Sequence, residues 1–430
     1  MRKSAWERFQ QISKINERVA RAYPGAQQEE IRKRTLDMAE TIAKSARGDE
    51  LEDEQTVESF VQLSLLLGPH ITLDEKLKEA AETKGHSLEV VSTILQTARI
   101  DTAAANTYRR NHPQTNLIER DICEVTASEL RKLCGGKQIS LLAGCAPCQG
   151  FCSLTVKNKR KDPRNELVLQ MATLIRQLAP TVVMMENVPG LEKRGKRIFR
   201  KFLARLRAAG YWPRWQVIQM ADYGIPQSRR RLVLFAGRGF AIPFPKATHT
   251  KNPQLKSKLK KWLTLRDVIA KQPKPITMSK AGNKGGPRKH NWHIVRDLQP
   301  QVAARLNAAI PGKTWLSLKK SIRPKCHRGD YNGFTNVYGR MSWQQTPVTM
   351  TGGCTTACKG RFGHPNKSRT TISVREAALI QSFPRGYKFD TDCMEAVCEM
   401  IGNAVPPKFA RVAGKHILEE LEKCHEPLAR

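Results

Sequence analysis

Short, nearly continuous apolar runs punctuate the first half of the chain, at Leu88-Glu89-Val90 onward, Ile139 to Ala143, Thr181 to Met185 and Leu232 to Ala236. Between them the apolar positions recur at helical spacing. That alternation predicts an α/β sheet with parallel strands and helices on both faces, occupying residues 55–237. Ahead of it, Ser4 to about Lys44 is polar and helix-forming and stops at the acidic break from Gly48 to Glu54, so residues 1–54 read as an N-terminal helical extension. After Arg238 the character changes. From Lys246 to Lys289 the chain carries Lys251, Lys256, Lys258, Lys260, Lys261, Arg266, Lys271 and Lys274 with only Asp267 against them. Residues 238–340 are therefore expected to form a smaller basic domain, with Trp262, Trp292 and Trp315 offering apolar surface among the cations. Helical patterning at Val374 to Ser382 and Lys408 to Leu421 should return residues 341–430 to the first domain.

Composition narrows the partner. The 430 residues hold 74 Lys and Arg against 39 Asp and Glu, a formal charge of +35. Such an excess favours a polyanion, because each phosphate neutralised by a cation releases condensed counterions. Nucleic acid is the expected partner. The 40% hydrophobic content supplies a real core. No apolar stretch approaches the roughly 20 residues that span a bilayer, and Met1-Arg2-Lys3-Ser4 opens no signal peptide, so no membrane association and an intracellular location are expected. Eleven irregularly spaced cysteines then read as reduced thiols, of which at least one is a candidate for chemistry.

The candidate is Cys148, in Leu141-Leu142-Ala143-Gly144-Cys145-Ala146-Pro147-Cys148-Gln149-Gly150-Phe151, an apolar strand running into a tight loop. A thiol at the carboxyl end of a parallel strand stands where α/β folds place their sites. A free thiol titrates near 8.5, so a nucleophile needs electropositive neighbours, and Lys157, Lys159, Arg160 and Arg164 are close in sequence. Cys145, Cys148 and Cys152 also resemble half a zinc site, with Cys354, Cys358 and His364 as the other half, but two loose halves make a poor tetrahedral set. A second strand, Thr181 to Met185, ends in Glu186, whose carboxylate could face the same cleft; a surface acid is the plainer alternative. Tyr223 to Arg231 places Arg229, Arg230 and Arg231 before a third strand, where a solvated basic turn is the alternative.

Taken together and in this order, these segments resemble the DNA (cytosine-5)-methyltransferase family. Its Pro-Cys-Gln, Glu-Asn-Val and Gln-x-Arg-x-Arg motifs match Pro147 to Gln149, Glu186 to Val188 and Gln227 to Arg231. Further matches are Asp162 to Asn165, Val374 to Ala378 with Gln381 to Pro384, and Gly402 to Pro407; the resemblance runs from about Asp101 to the C-terminus. It implies a Rossmann-like S-adenosylmethionine-dependent methyltransferase domain with a smaller basic target-recognition domain. It also implies that Cys148 adds to carbon-6 of a flipped cytosine, that Glu186 bonds ring nitrogen-3, that Arg229 and Arg231 brace the base or its backbone, and that carbon-5 takes the methyl group. The substrate it implies is double-stranded DNA, in a restriction-modification system of the bacterial cytoplasm, associated with the nucleoid. An RNA-modifying branch of the family is a further alternative, against which the long basic module after Arg238 argues.

One family feature is missing. The early Phe-x-Gly-x-Gly-Gly loop that admits the cofactor has no counterpart, and in the best ungapped candidate, Leu63 to Ile71, only Gly68 survives beside Pro69 and His70. Thr72-Leu73-Asp74-Glu75 resembles a capping box opening a helix, so either a strand-loop-helix layout persists here or Val57, Phe60, Val61 and Leu65 form the buried face of one more helix. The ribose-binding acid falls on Arg99, with Asp101 as its substitute, whereas Asp121 and Ile122, Leu167 and Asn403 match other cofactor contacts. A second chain completing the cofactor site is one explanation. The competing functional reading is a cofactor-deficient or partner-dependent DNA-binding homologue without activity of its own.

Overall fold

The structure is a computed structural model, and it describes the backbones of strands 60–66 and 88–94 and residues 102–145, 166–254, 258–329 and 335–425. Seven strands form the central sheet: β1 (Phe60–Leu66), β2 (Leu88–Ile94), β3 (Asn116–Glu119), β4 (Ile139–Gly144), β5 (Val182–Asn187), β6 (Tyr211–Gln219) and β7 (Arg230–Arg238). Their order is β3-β2-β1-β4-β5-β7-β6. β1 pairs in parallel with both β2 and β4, so Phe60 to Leu66 is a central strand and the helical alternative for that segment falls away. The expectation of a parallel sheet holds with one correction, since β7 runs antiparallel to both β5 and β6. β6 is the edge, and this is why Pro213, which has no amide to donate, is tolerated in its middle.

Strand periodicity divides the apolar runs between two cores. Val183 and Met185 of β5 and Leu232, Leu234 and Ala236 of β7 face one cluster, while Val182, Met184, Val233 and Phe235 face the other. With both faces covered, the strands carry no polar alternation. After α1 (Thr102–Asn111), whose Tyr108 lies in the second cluster, three helices close the first: α2 (Ala127–Leu133), α3 (Leu167–Leu178) and α4 (Lys196–Ala208). In α3, Leu167, Val168, Met171, Ala172, Leu174, Ile175 and Leu178 are all buried, the helical repeat of one apolar face.

The helices of seven or more residues that follow among the described residues are α5 (Pro300–Ala308), α6 (Val374–Ile380), α7 (Met394–Asn403) and α8 (Pro407–His425). A capping box starts α6: the Ser373 hydroxyl accepts from the Glu376 amide at 3.0 Å, and the Glu376 carboxylate accepts from the Ser373 amide at 2.7 Å. Phe409, Ala410, Ala413 and Ile417 of α8 pack on the second face of the sheet, so the chain does return to the first domain. Leu265, Ile269, Ala281, Trp292 and Ile294 share one core with residues from Met341 to Ala404, and the break at 340 does not coincide with a gap between cores. Trp292 and Trp315, expected to offer surface, are 1% and 3% exposed and are core residues.

Candidate active site

At the carboxyl edge of β4 and β5, three side chains follow the same alternation onto one sheet face. Cys145 closes β4, Glu186 is the penultimate residue of β5, and Arg231 lies at the start of antiparallel β7. Glu186 pairs in register with Val233, which sets Arg231 diagonally across from it. Arg231 Nε stands 2.8 Å from Glu186 Oε1, with both side chains largely buried. Among the described residues, that oxygen has no aligned hydrogen-bond donor. The pair thus holds charge in place while leaving lone-pair capacity for a ligand. Beyond Asn187, whose side-chain oxygen accepts from the Val188 amide at 2.9 Å, the chain turns away from the sheet.

Cys145 packs against Glu186. Its sulfur is desolvated, which pushes the thiol well above its usual value; the Glu186 charge adds to this, and Arg229 opposes it weakly. Cys145 is therefore a neutral thiol, unsuited to attack. Cys148, Asp101 and Gly68 lie outside the described residues, as does the segment around Thr72. Cys354 makes its thiol contact with Cys398, while Cys358 is exposed. No group of three or more potential metal ligands occurs among the described residues.

Arg229, two residues before Arg231, has a different surrounding. It is 1% exposed, and its guanidinium donates to the carbonyls of Met350 at 3.0 Å, Gly402 at 3.1 Å and Ala404 at 3.3 Å. Gln227 adds a second tie: its Oε1 accepts from the Met350 amide at 2.8 Å and its Nε2 donates to Gln381 Oε1 at 2.5 Å. Gln381 Nε2 in turn donates to the Ala404 carbonyl at 2.7 Å. Four segments, at Gln227–Arg229, Met350, Gln381 and Gly402–Ala404, are thereby joined through buried amides and one guanidinium. Sequence reasoning matched these motifs singly and missed the joint, which has no local signature.

Beside the joint opens a cleft of about 1660 Å³. Ser228 and Asn403 line one part of it, Lys251, Lys261 and Trp262 another, and Lys359 and Arg361 a third. The Trp262 indole donates to Asp222 at 2.8 Å, fixing the basic module's entry to the first domain. Gly402 closes the cleft wall: a Cβ there would lie 2.2 Å from the Gly352 amide nitrogen and the Thr351 carbonyl carbon.

The expected cofactor contacts are only partly gathered. Strand order reverses between β1 and β4, the switch point at which open α/β sheets bind ligands. Asp121 follows β3, the edge strand two places out from β1, and accepts from the Cys123 amide at 2.9 Å, and Ile122 and Leu167 belong to one core cluster. A carboxylate over apolar side chains fits the adenosine end of S-adenosylmethionine. Asn403 lines the cleft. β1 and β2 are both supplied by this chain, while residues 67–87 and 95–101, which follow them, lie outside the described residues. No helix among the described residues is long and apolar enough to cross a membrane.

Comparison with known proteins agrees with this geometry. A family model described as C-5 cytosine-specific DNA methylase matches residues 80–419. The type II methylase M.HgiDII of Herpetosiphon aurantiacus is 36% identical over 332 residues, covering 76% of this chain and 89% of that protein. The type II methyltransferase M.XorII of Xanthomonas oryzae is 31% identical, covering 75% of this chain and 79% of its own length. Among solved structures, the Dnmt2 methyltransferase of S. pombe shares the fold at a TM-score of 0.54 and 16% identity, covering 84% of this chain and 99% of that one.

Proposed function

The chain belongs to the C-5 cytosine-specific DNA methylase family, and from that premise we propose how its residues act and in what setting. It is a DNA (cytosine-5)-methyltransferase, and S-adenosylmethionine is its methyl donor. The finer reading is that it modifies a cytosine flipped out of double-stranded DNA, through a covalent adduct to Cys148, as the modifying partner of a restriction-modification system. A base inside a duplex is out of reach of a side chain, so extrusion into the site is required.

Cytosine is a weak nucleophile at carbon-5. Addition of the Cys148 thiolate at carbon-6 turns the ring into an enamine and makes carbon-5 nucleophilic. Glu186 would meet ring nitrogen-3, and Arg231, 2.8 Å from Glu186, would hold that carboxylate in place. Arg229 acts at one remove, as the tie that keeps the cleft wall against β7. Asp121, Ile122 and Leu167 would hold the adenosine end of the cofactor, which when bound supplies an electrophilic methyl group. Loss of the carbon-5 proton then expels the cysteine. The basic module of residues 238–340 would serve as the target-recognition domain, with its cations on phosphates and its cleft side on base edges.

The observation that carries this reading is the buried Glu186–Arg231 pair beside a neutral Cys145, three residues before Cys148 in the sequence. It is tested with duplex DNA carrying 5-fluorocytosine, whose carbon-5 fluorine cannot leave. The native chain should form a covalent adduct, and Cys148→Ser should form none while still binding DNA. Equal adduct formation by the serine variant would assign the nucleophile elsewhere.

A further inference from the structure

We infer that the outer face of α4 is a second, sequence-independent binding surface for the phosphate backbone of duplex DNA, separate from the cleft. The observation is a helix whose charge is all of one sign. Six of its thirteen residues are cations, Lys196, Arg197, Arg200, Lys201, Arg205 and Arg207, and all are exposed. Exposed Lys193 and Arg194 precede them. The helix contains no acid, and the nearby Glu192 accepts from the Trp215 indole at 3.1 Å. Arg205 donates to the Leu169 carbonyl. Among the described residues, no carboxylate forms an ion pair with Lys196, Arg197, Arg200, Lys201 or Arg207.

Local physics argues against this arrangement unless an anion relieves it. A solvated helix ordinarily carries both signs, with opposite charges four residues apart. Here the four-residue neighbours are Lys196 with Arg200, Arg197 with Lys201 and Lys201 with Arg205, all like-charged and mutually destabilising. Lys196 and Arg197 also sit in the first turn, where the helix dipole disfavours cations. A rule broken at several positions, with no internal compensation, marks a binding surface. Packing fixes its direction, because Phe199, Phe202, Leu203 and Leu206 bury the other side of the helix.

Placement identifies the occupant. α4 closes the sheet face opposite the one that carries Cys145, Glu186 and Arg231, so its cations point away from the site. From Lys196 to Arg207 the stripe is about 17 Å long at 1.5 Å per residue. A duplex presents one charge per roughly 1.7 Å of its axis, so several phosphates come within reach of such a stripe. The exposed positions are cations and alanines, with no Asn, Gln, Ser, Thr or acid among them, which fits a contact dominated by the backbone. A second segment of duplex, held while the cleft keeps the first, is the partner this surface fits. The inference rests on the reading of the cleft as the site of the target duplex.

The test compares the native full chain with a variant carrying Lys196→Gln, Arg197→Gln, Arg200→Gln and Lys201→Gln. Titration with a short non-target duplex at low salt should reach two duplexes per native chain and one per variant chain. With the cleft already filled by target duplex, the native chain should bind a labelled second duplex with a steep salt dependence. The variant should lose about 3 to 4 units of that slope, at roughly 0.9 per cation. Methyl transfer to a short target duplex should stay within twofold, and the melting temperature should hold or rise as like charges are removed. One duplex per native chain, or an unchanged slope in the variant, overturns the inference, and so does second-site binding of RNA without binding of duplex. Loss of methyl transfer by the native chain itself would instead count against the function proposed above.

Discussion

Arg229 and Arg231 differ by two positions, one just ahead of β7 and one near its start, yet their partners separate them. Arg229 supplies donors to three carbonyls from two other segments, and a buried acceptor that loses its donor costs about 1–3 kcal/mol. Arg231 supplies its Nε to Glu186. Lysine keeps the charge in either place but cannot reach several acceptors with a fixed planar fork. Arg229→Lys should therefore destabilise the protein by about 2 kcal/mol, read as a lowered melting temperature. Arg231→Lys should lower single-turnover transfer by roughly 10-fold or more, on the scale of a lost stabilising contact, with a smaller change in melting temperature. The reverse ranking would exchange the two roles. The motif Gln-x-Arg-x-Arg was legible in the sequence; which arginine meets the carboxylate was not, because that depends on the antiparallel register of β5 with β7.

Among elements, the contact between the last turn of α7 and the Thr351–Gly352 segment is a backbone-to-backbone constraint on the cleft. No side chain fits at Gly402, where all three of the nearest obstructing atoms belong to backbone. At Gly352 the nearest obstacle is the Glu399 side chain at 3.2 Å, which can move. Gly402→Ala should cost about 1–3 kcal/mol from overpacking and weaken DNA binding, since Asn403 would leave the cleft wall. Gly352→Ala should be mild in both measurements. Equal melting temperatures for the two variants would show that the segments are free to separate. The Gly-Asn-Ala-Val-Pro-Pro run invited a cofactor role in the sequence, and the structure adds a mechanical one.

At the scale of the whole molecule, recognition and stability are interleaved. The basic module of residues 238–340 supplies cleft cations, but its Leu265, Ile269 and Ala281 pack in one core with Val374, Ala377 and Ile380 of α6. An exchange of residues 246–325 with those of a relative should change the methylated sequence, and it should fold only if these three core positions keep apolar residues of similar volume. Bisulfite sequencing of DNA from the expressing cells reads the first outcome and thermal denaturation the second. An unchanged methylated sequence after a folded exchange would place recognition elsewhere.

The sequence by itself determined the sheet strands at 88, 139, 182 and 232, the α8 return and the family, because apolar periodicity and local motifs are properties of neighbouring residues. It determined the charge that requires a polyanion for the same reason. It could not decide that Phe60 to Leu66 is a central strand, since a short apolar run is shared by strands and buried helices and only pairing with β2 and β4 separates them. Nor could it decide that Trp292 and Trp315 are core, that Cys145 is held neutral by Glu186, or that Gln227, Arg229 and Gln381 close one joint. Each of those depends on contacts between segments far apart in the chain, and such contacts exist only once the sheet register and the helix packing have brought the segments together.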